Sequence, residues 1–163
     1  MLKSKFKKDT IWLSFAQFIL ASAGILINII IGNKYGPADL GIFNQSISIF
    51  FLLSALISLG LNNSTIKKIS EDPNNYNRNN LIVNSNLIAT TVISFFICAT
   101  GFFTIDYFKY IFSSAEIASA LKIIFISVPI YNFNKILMSS LTGLRKQKQF
   151  SIARIIRWVS LII

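Results

Sequence analysis

The sequence has 163 residues, of which 53% are hydrophobic and 13% are charged, whereas about 25% of the residues of a typical soluble domain are charged. So few charges cannot form the polar shell of a water-soluble globule of this size, which excludes that class of protein. The formal net charge is +10, but the basic residues cluster at the ends of apolar segments. This distribution indicates membrane topology and not a nucleic-acid partner.

Three long segments contain no charged residue: Ile11–Gly32, Leu40–Ile66 and Asn79–Ile105. A helix of roughly 20 residues crosses the hydrocarbon core of a bilayer, which is about 30 Å thick. We therefore predict transmembrane helices at about 11–32, 40–60 and 81–103.

The first apolar segment also has some features of a signal peptide. Four lysines precede it, and Ala21-Ser22-Ala23 resembles a cleavage site. However, the apolar run continues to Ile31 and further spans follow. We interpret the segment as an uncleaved helix.

The rest of the chain adds one complete span and the start of another. The polar segment 62–80 is compatible with a short interfacial helix at 64–70, and we predict a fourth span at about 117–141. A fifth begins near residue 150 and is cut at Ile163 with no polar flank, so we expect this sequence to be the N-terminal part of a longer protein. The predicted fold class is all-α, a polytopic transmembrane helical bundle with four complete spans plus the start of a fifth.

Basic residues alternate between the connections. Ten of them lie in the N-terminal segment and in the second and fourth connections, whereas only Lys34 and Lys109 lie in the first and third. Because loops rich in Lys and Arg stay in the cytoplasm, the N-terminus is predicted to be cytoplasmic.

Polar side chains within the spans need partners or water. Gln17 and Asn28 belong to a stripe of small and polar residues on the first predicted span. Asn84 lies on the third span, and Asn132 shares a face of the fourth with Lys135. Two interpretations remain open for these residues, namely hydrogen bonding between packed helices and lining of a hydrated cavity.

Four cations lie within predicted spans: Lys122, Lys135, Arg154 and Arg157. A charge at the centre of a membrane helix costs about 2.5–3.5 kcal/mol on insertion scales, so such residues either snorkel to the interface or serve a function. All six acidic residues lie in or beside connections, the sequence has no His, and its single Cys is Cys98. We therefore expect no metal, no cofactor and no enzymatic activity, and an anionic substrate such as a phosphate-bearing lipid headgroup.

Three segments carry a resemblance to a known family: Tyr35–Phe43 (YGPADLGIF), Leu56–Asn63 (LISLGLNN) with Lys67-Lys68-Ile69, and Leu141–Lys146 (LTGLRK) followed by Phe150. They resemble Wzx-type oligosaccharide flippases, which are polysaccharide biosynthesis proteins of the multidrug/oligosaccharidyl-lipid/polysaccharide exporter superfamily.

The resemblance implies that residues 1–163 are a single transmembrane region, the incomplete first lobe of a two-lobe transporter. Such a transporter moves undecaprenyl-diphosphate-linked repeat units of O-antigen or capsular polysaccharide across the bacterial inner membrane. Its implied partners are the lipid bilayer, the lipid-linked oligosaccharide and the polysaccharide polymerase machinery, with no nucleic acid. A multidrug exporter of the same superfamily and a non-transporting membrane scaffold or accessory subunit are the alternatives.

Overall fold

The computed structural model of the chain describes residues 2–105, 107 and 115–159. Most of the predicted third connection and the last residues of the predicted fifth span lie outside this part. Within it the protein is all-helical with no β-strand, as predicted. The described helices are α1 (Leu2–Tyr35), α2 (Pro37–Ser58), α3 (Leu61–Glu71), α4 (Tyr76–Phe103), α5 (Ala115–Gly143) and α6 (Gln147–Val159).

Four of these helices, α1, α2, α4 and α5, are long and apolar enough to cross a membrane. Large apolar side chains cover their outer surface, and Phe18, Phe95 and Ile130 are 71%, 69% and 69% exposed. In water such a surface would drive aggregation, whereas hydrocarbon solvates it. The helices therefore form a multi-pass membrane protein, with α6 covering the start of the predicted fifth span.

The core lies where α2, α4 and α5 meet, around Ile57, Cys98, Leu121 and Val128. Cys98 is a buried packing residue there. At Gly101 of α4 the ring of Phe125 from α5 comes so close that a Cβ atom on the glycine would collide with the ring. A small residue is required at this position because the two helices touch there.

The short connection between α2 and α3 passes through two residues in the left-handed conformation. Leu59 has a φ of 39° and Gly60 a φ of 79°. Glycine adopts this conformation without the steric penalty that a Cβ atom brings. The turn sets α3 beside the ends of α4 and α5 instead of continuing α2 into solvent.

Helix α3, the short helix predicted in the second connection, is fixed by contacts on two sides. Its buried Thr65 accepts a hydrogen bond of 2.7 Å from the Asn86 amide of α4. Its buried Ile69 packs against Gly143 at the end of α5, where an added Cβ would lie 2.8 Å from the Ile69 Cβ. These contacts hold α3 against both α4 and α5.

Contacts between helix ends show which connections share a side of the protein. The Lys148 ammonium lies 5.6 Å from the centre of the Trp12 ring, so the connection after α5 lies near the beginning of α1. The Gly143–Ile69 contact brings α3 to this same side. Lys34 lies at the opposite end of α1. The basic connections therefore share one face of the protein in the described residues, and Lys34 lies towards the other.

Candidate substrate groove

A groove of about 520 Å³ lies between α1 and α6, two helices that pack together although they are far apart in sequence. The polar stripe of α1 supplies one wall and α6 supplies a cation. The lining residues are Leu13, Ser14, Gln17, Phe18, Ala21 and Arg154. Two residues singled out on separate grounds, Gln17 and Arg154, thus belong to one feature.

Arg154 is half-buried, and its guanidinium carbon lies 6.0 Å from the centre of the Phe150 ring one turn earlier. This distance is typical of a weak cation–π contact. A guanidinium is always charged and its planar fork of donors fits phosphate oxygens, while the Gln17 amide both donates and accepts hydrogen bonds. The groove can therefore bind an anionic group together with a polyhydroxylated one.

Arg157 lies three residues further along α6 and contacts α5. Its guanidinium carbon lies 5.5 Å from the centre of the Tyr131 ring, and Nη1 lies 3.5 Å from the Asn134 side-chain oxygen. These contacts fasten α6 to α5. The periodicity of the sequence did not identify Tyr131 or Asn134 as partners, because the contact depends on how α5 and α6 pack.

The polar face predicted on α5 is divided between two environments. Asn132 is 1% exposed, accepts a 3.0 Å hydrogen bond from the Ser54 hydroxyl of α2, and donates one of 3.0 Å to the Val128 carbonyl. Its amide is enclosed by protein, as expected for interhelical packing. Lys135 on the same helix is half-buried, whereas Lys122 near its beginning is exposed. Neither lysine lines the α1–α6 groove.

Asn28 is also engaged by a neighbouring helix. It donates to the Gly24 carbonyl at 2.8 Å and accepts from the Asn44 amide of α2 at 3.2 Å. On α4, Asn84 is exposed, and the asparagine two residues later makes the contact with α3. Because residues two apart point to nearly opposite sides of a helix, the sequence pattern could not distinguish between these two asparagines.

The described residues contain no group of three His, Cys, Asp or Glu side chains that could hold a metal ion. What they do contain is a helical bundle with a lipid-facing exterior and an open groove between two of its helices, whose mostly apolar lining includes Gln17 and Arg154. These features define a multi-pass helical membrane protein with a candidate binding site for a polar, anionic ligand.

Residues 6–163 match the family described as "Polysaccharide biosynthesis protein". The match covers nearly the whole chain, and the protein therefore belongs to this family, which confirms the resemblance seen in the sequence. Searches of curated proteins and of solved structures each gave no match.

Proposed function

We propose that the protein translocates undecaprenyl-diphosphate-linked oligosaccharide repeat units across the membrane for O-antigen or capsular polysaccharide biosynthesis. Membership of the polysaccharide biosynthesis family and the four membrane-spanning helices support this function. The observation that carries it is the open groove between α1 and α6, where Gln17 and Arg154 place an amide and a guanidinium on an otherwise mostly apolar surface.

Each part of the proposed substrate has a counterpart in this groove. The Arg154 guanidinium neutralises the diphosphate, the Gln17 and Ser14 side chains hydrogen-bond sugar hydroxyls, and Phe18 contacts the prenyl chain. The sugar thus passes along a polar wall while the tail stays in lipid. Rocking of one lobe against the other in the complete transporter exposes the wall to each leaflet in turn. The polymerase machinery then receives the translocated unit.

The direct test is reconstitution of the full-length protein into liposomes that contain a labelled undecaprenyl-diphosphate oligosaccharide. We expect the label to become accessible to an externally added glycosidase faster in these liposomes than in protein-free ones. A parallel set of liposomes contains a fluorescent organic cation. Movement of the cation without the oligosaccharide would replace this function with that of a multidrug exporter, and movement of neither would favour a non-transporting accessory subunit.

We also propose that the protein lies in the bacterial inner membrane with its N-terminus in the cytoplasm. The support is that the basic connections share one face of the protein, because the cytoplasmic side of membrane proteins is the more basic.

Labelling of single cysteines tests this orientation in a Cys98→Ser background. Asn33→Cys lies at the exposed end of α1, and Asn74→Cys lies in the exposed turn between α3 and α4. In intact cells a membrane-impermeant maleimide should label Asn33→Cys, and it should label Asn74→Cys only after the membrane is permeabilised. The reverse pattern, or labelling of both in intact cells, would contradict the orientation.

A further inference from the structure

A second groove, of about 640 Å³, lies between α3 and the beginning of α4. We call it the basic groove, because its lining includes Lys67, Lys68 and Arg78 with the single carboxylate of Glu71. These four side chains leave a formal excess of two positive charges. The groove lies outside the α1–α6 groove and shares none of its residues.

The groove has one internal ion pair and two cations available to a ligand. Arg78 Nη2 lies 2.8 Å from Glu71 Oε2, so these two residues satisfy each other across the groove. Lys67 and Lys68 are exposed, and neither forms a salt bridge in the described part of the chain. An anion that enters the groove therefore meets two ammonium groups whose charges are not neutralised within the protein.

The scaffold of the groove is well fixed. Helix α3 is held by the Thr65–Asn86 hydrogen bond and by the Ile69–Gly143 contact. The turn into α4 is held by Asn79, whose amide donates to two backbone carbonyls, at 3.0 Å to Asp72 and at 3.2 Å to Pro73. The backbone that carries the basic side chains is thus already ordered before a ligand binds, which lowers the entropy cost of binding.

We propose that the basic groove binds the phosphate headgroup of an anionic glycerophospholipid from the adjacent leaflet. Its position favours a lipid over a free anion, because α3 connects two membrane-spanning helices and therefore lies at the membrane surface. The groove ends on the α4 side at Ile82, beside Leu81, which is 69% exposed on the lipid-facing surface. A bound headgroup can thus leave its acyl chains in the bilayer. This site does not depend on the proposed transport function.

The test is a titration of the purified full-length protein with phosphatidylglycerol in a neutral detergent, in which native mass spectrometry measures the bound lipid. A basic side chain near an anionic lipid contributes about 1 kcal/mol of binding free energy. The double variant Lys67→Gln/Lys68→Gln is therefore expected to weaken phosphatidylglycerol binding about thirtyfold. The matched control is Arg145→Gln with Lys146→Gln, which removes two exposed charges on the same face but outside the groove. The control is expected to leave the titration unchanged.

Two further measurements distinguish lipid binding in the groove from a loss of folding and from binding of a free phosphate. Glu71→Gln removes the negative charge from the groove and is expected to tighten binding about fivefold, which a damaged protein would not do. Glycerol 3-phosphate in excess should not displace the phospholipid. Equal losses in the groove and control pairs, no loss in either, weaker binding by Glu71→Gln, or displacement by glycerol 3-phosphate would each overturn the proposal.

Discussion

Replacing Arg154 by alanine is expected to lower export of surface polysaccharide by about tenfold to a hundredfold, the effect of losing about 1.5–3 kcal/mol from a charge-assisted hydrogen bond. The reason is local, because among the lining residues of the α1–α6 groove Arg154 is the one with a positive charge. Without it the diphosphate has no counter-charge beside the stripe of α1. The measurement is the amount of surface polysaccharide in cells that carry each variant as their sole copy.

Two companions of this variant separate charge from folding. Arg154→Lys retains the charge but loses the planar fork, and we expect it to restore part of the export. Arg145→Ala removes an exposed arginine from the connection after α5, outside the groove, and we expect normal export. If Arg154→Ala exports normally while the protein is present at its usual level, Arg154 does not contact the substrate.

Replacing Gly143 by valine is expected to destabilise the protein by about 1–3 kcal/mol, as overpacking of a close contact does. A Cβ at this position lies 2.8 Å from the Ile69 Cβ and 3.1 Å from the Ile66 carbonyl oxygen. The second of these atoms belongs to the backbone of α3 and cannot rotate away, so α3 must move as a whole. A lower midpoint of thermal unfolding in detergent, measured by circular dichroism, checks this result.

Gly24→Val is the matched control for this substitution. A Cβ added to Gly24 in α1 meets no atom within 4 Å, so the close contact that a Cβ makes at Gly143 does not arise there. We expect its unfolding midpoint to equal that of the unmodified protein. Equal shifts for the two variants would show that the glycine-to-valine change itself, and not the contact between α3 and α5, sets the stability.

The fold class followed from the sequence because bilayer thickness is a strong constraint. An uncharged segment longer than 20 residues has few alternatives to a membrane-spanning helix, and three of the four spanning helices in the described residues contain such a segment, while α5 is long and apolar enough despite Lys122 and Lys135. The short helix predicted at 64–70 is also present, as α3, and it is longer than predicted, from Leu61 to Glu71. Its exact bounds depend on the left-handed turn at Leu59 and Gly60, which a polar connection does not specify.

The candidate site was less predictable from the sequence. A polar residue in a span can either hydrogen-bond to a neighbouring helix or line a groove, and the local sequence pattern is the same in both cases. Gln17 and Asn132 are both amides at helical positions among apolar residues. One lines the groove between α1 and α6, and the other is sealed between α2 and α5 by Ser54. The difference depends on which helix packs beside each residue. For α1 and α6 that neighbour is more than 100 residues away in the chain, so no local pattern contains the information.

The Asn28–Asn44 hydrogen bond bears on how the first two spans reach the bilayer. In hydrocarbon, pulling α1 and α2 apart would leave two amide groups without a mutual partner, whereas in water each amide would be hydrated. Together with the single-residue break at Gly36 between the two helices, this means that the lipid favours the hairpin over either helix alone. The energy of placing Asn44 in the membrane is therefore lower, by about 0.6 kcal/mol for an average interhelical hydrogen bond, when α1 is there already.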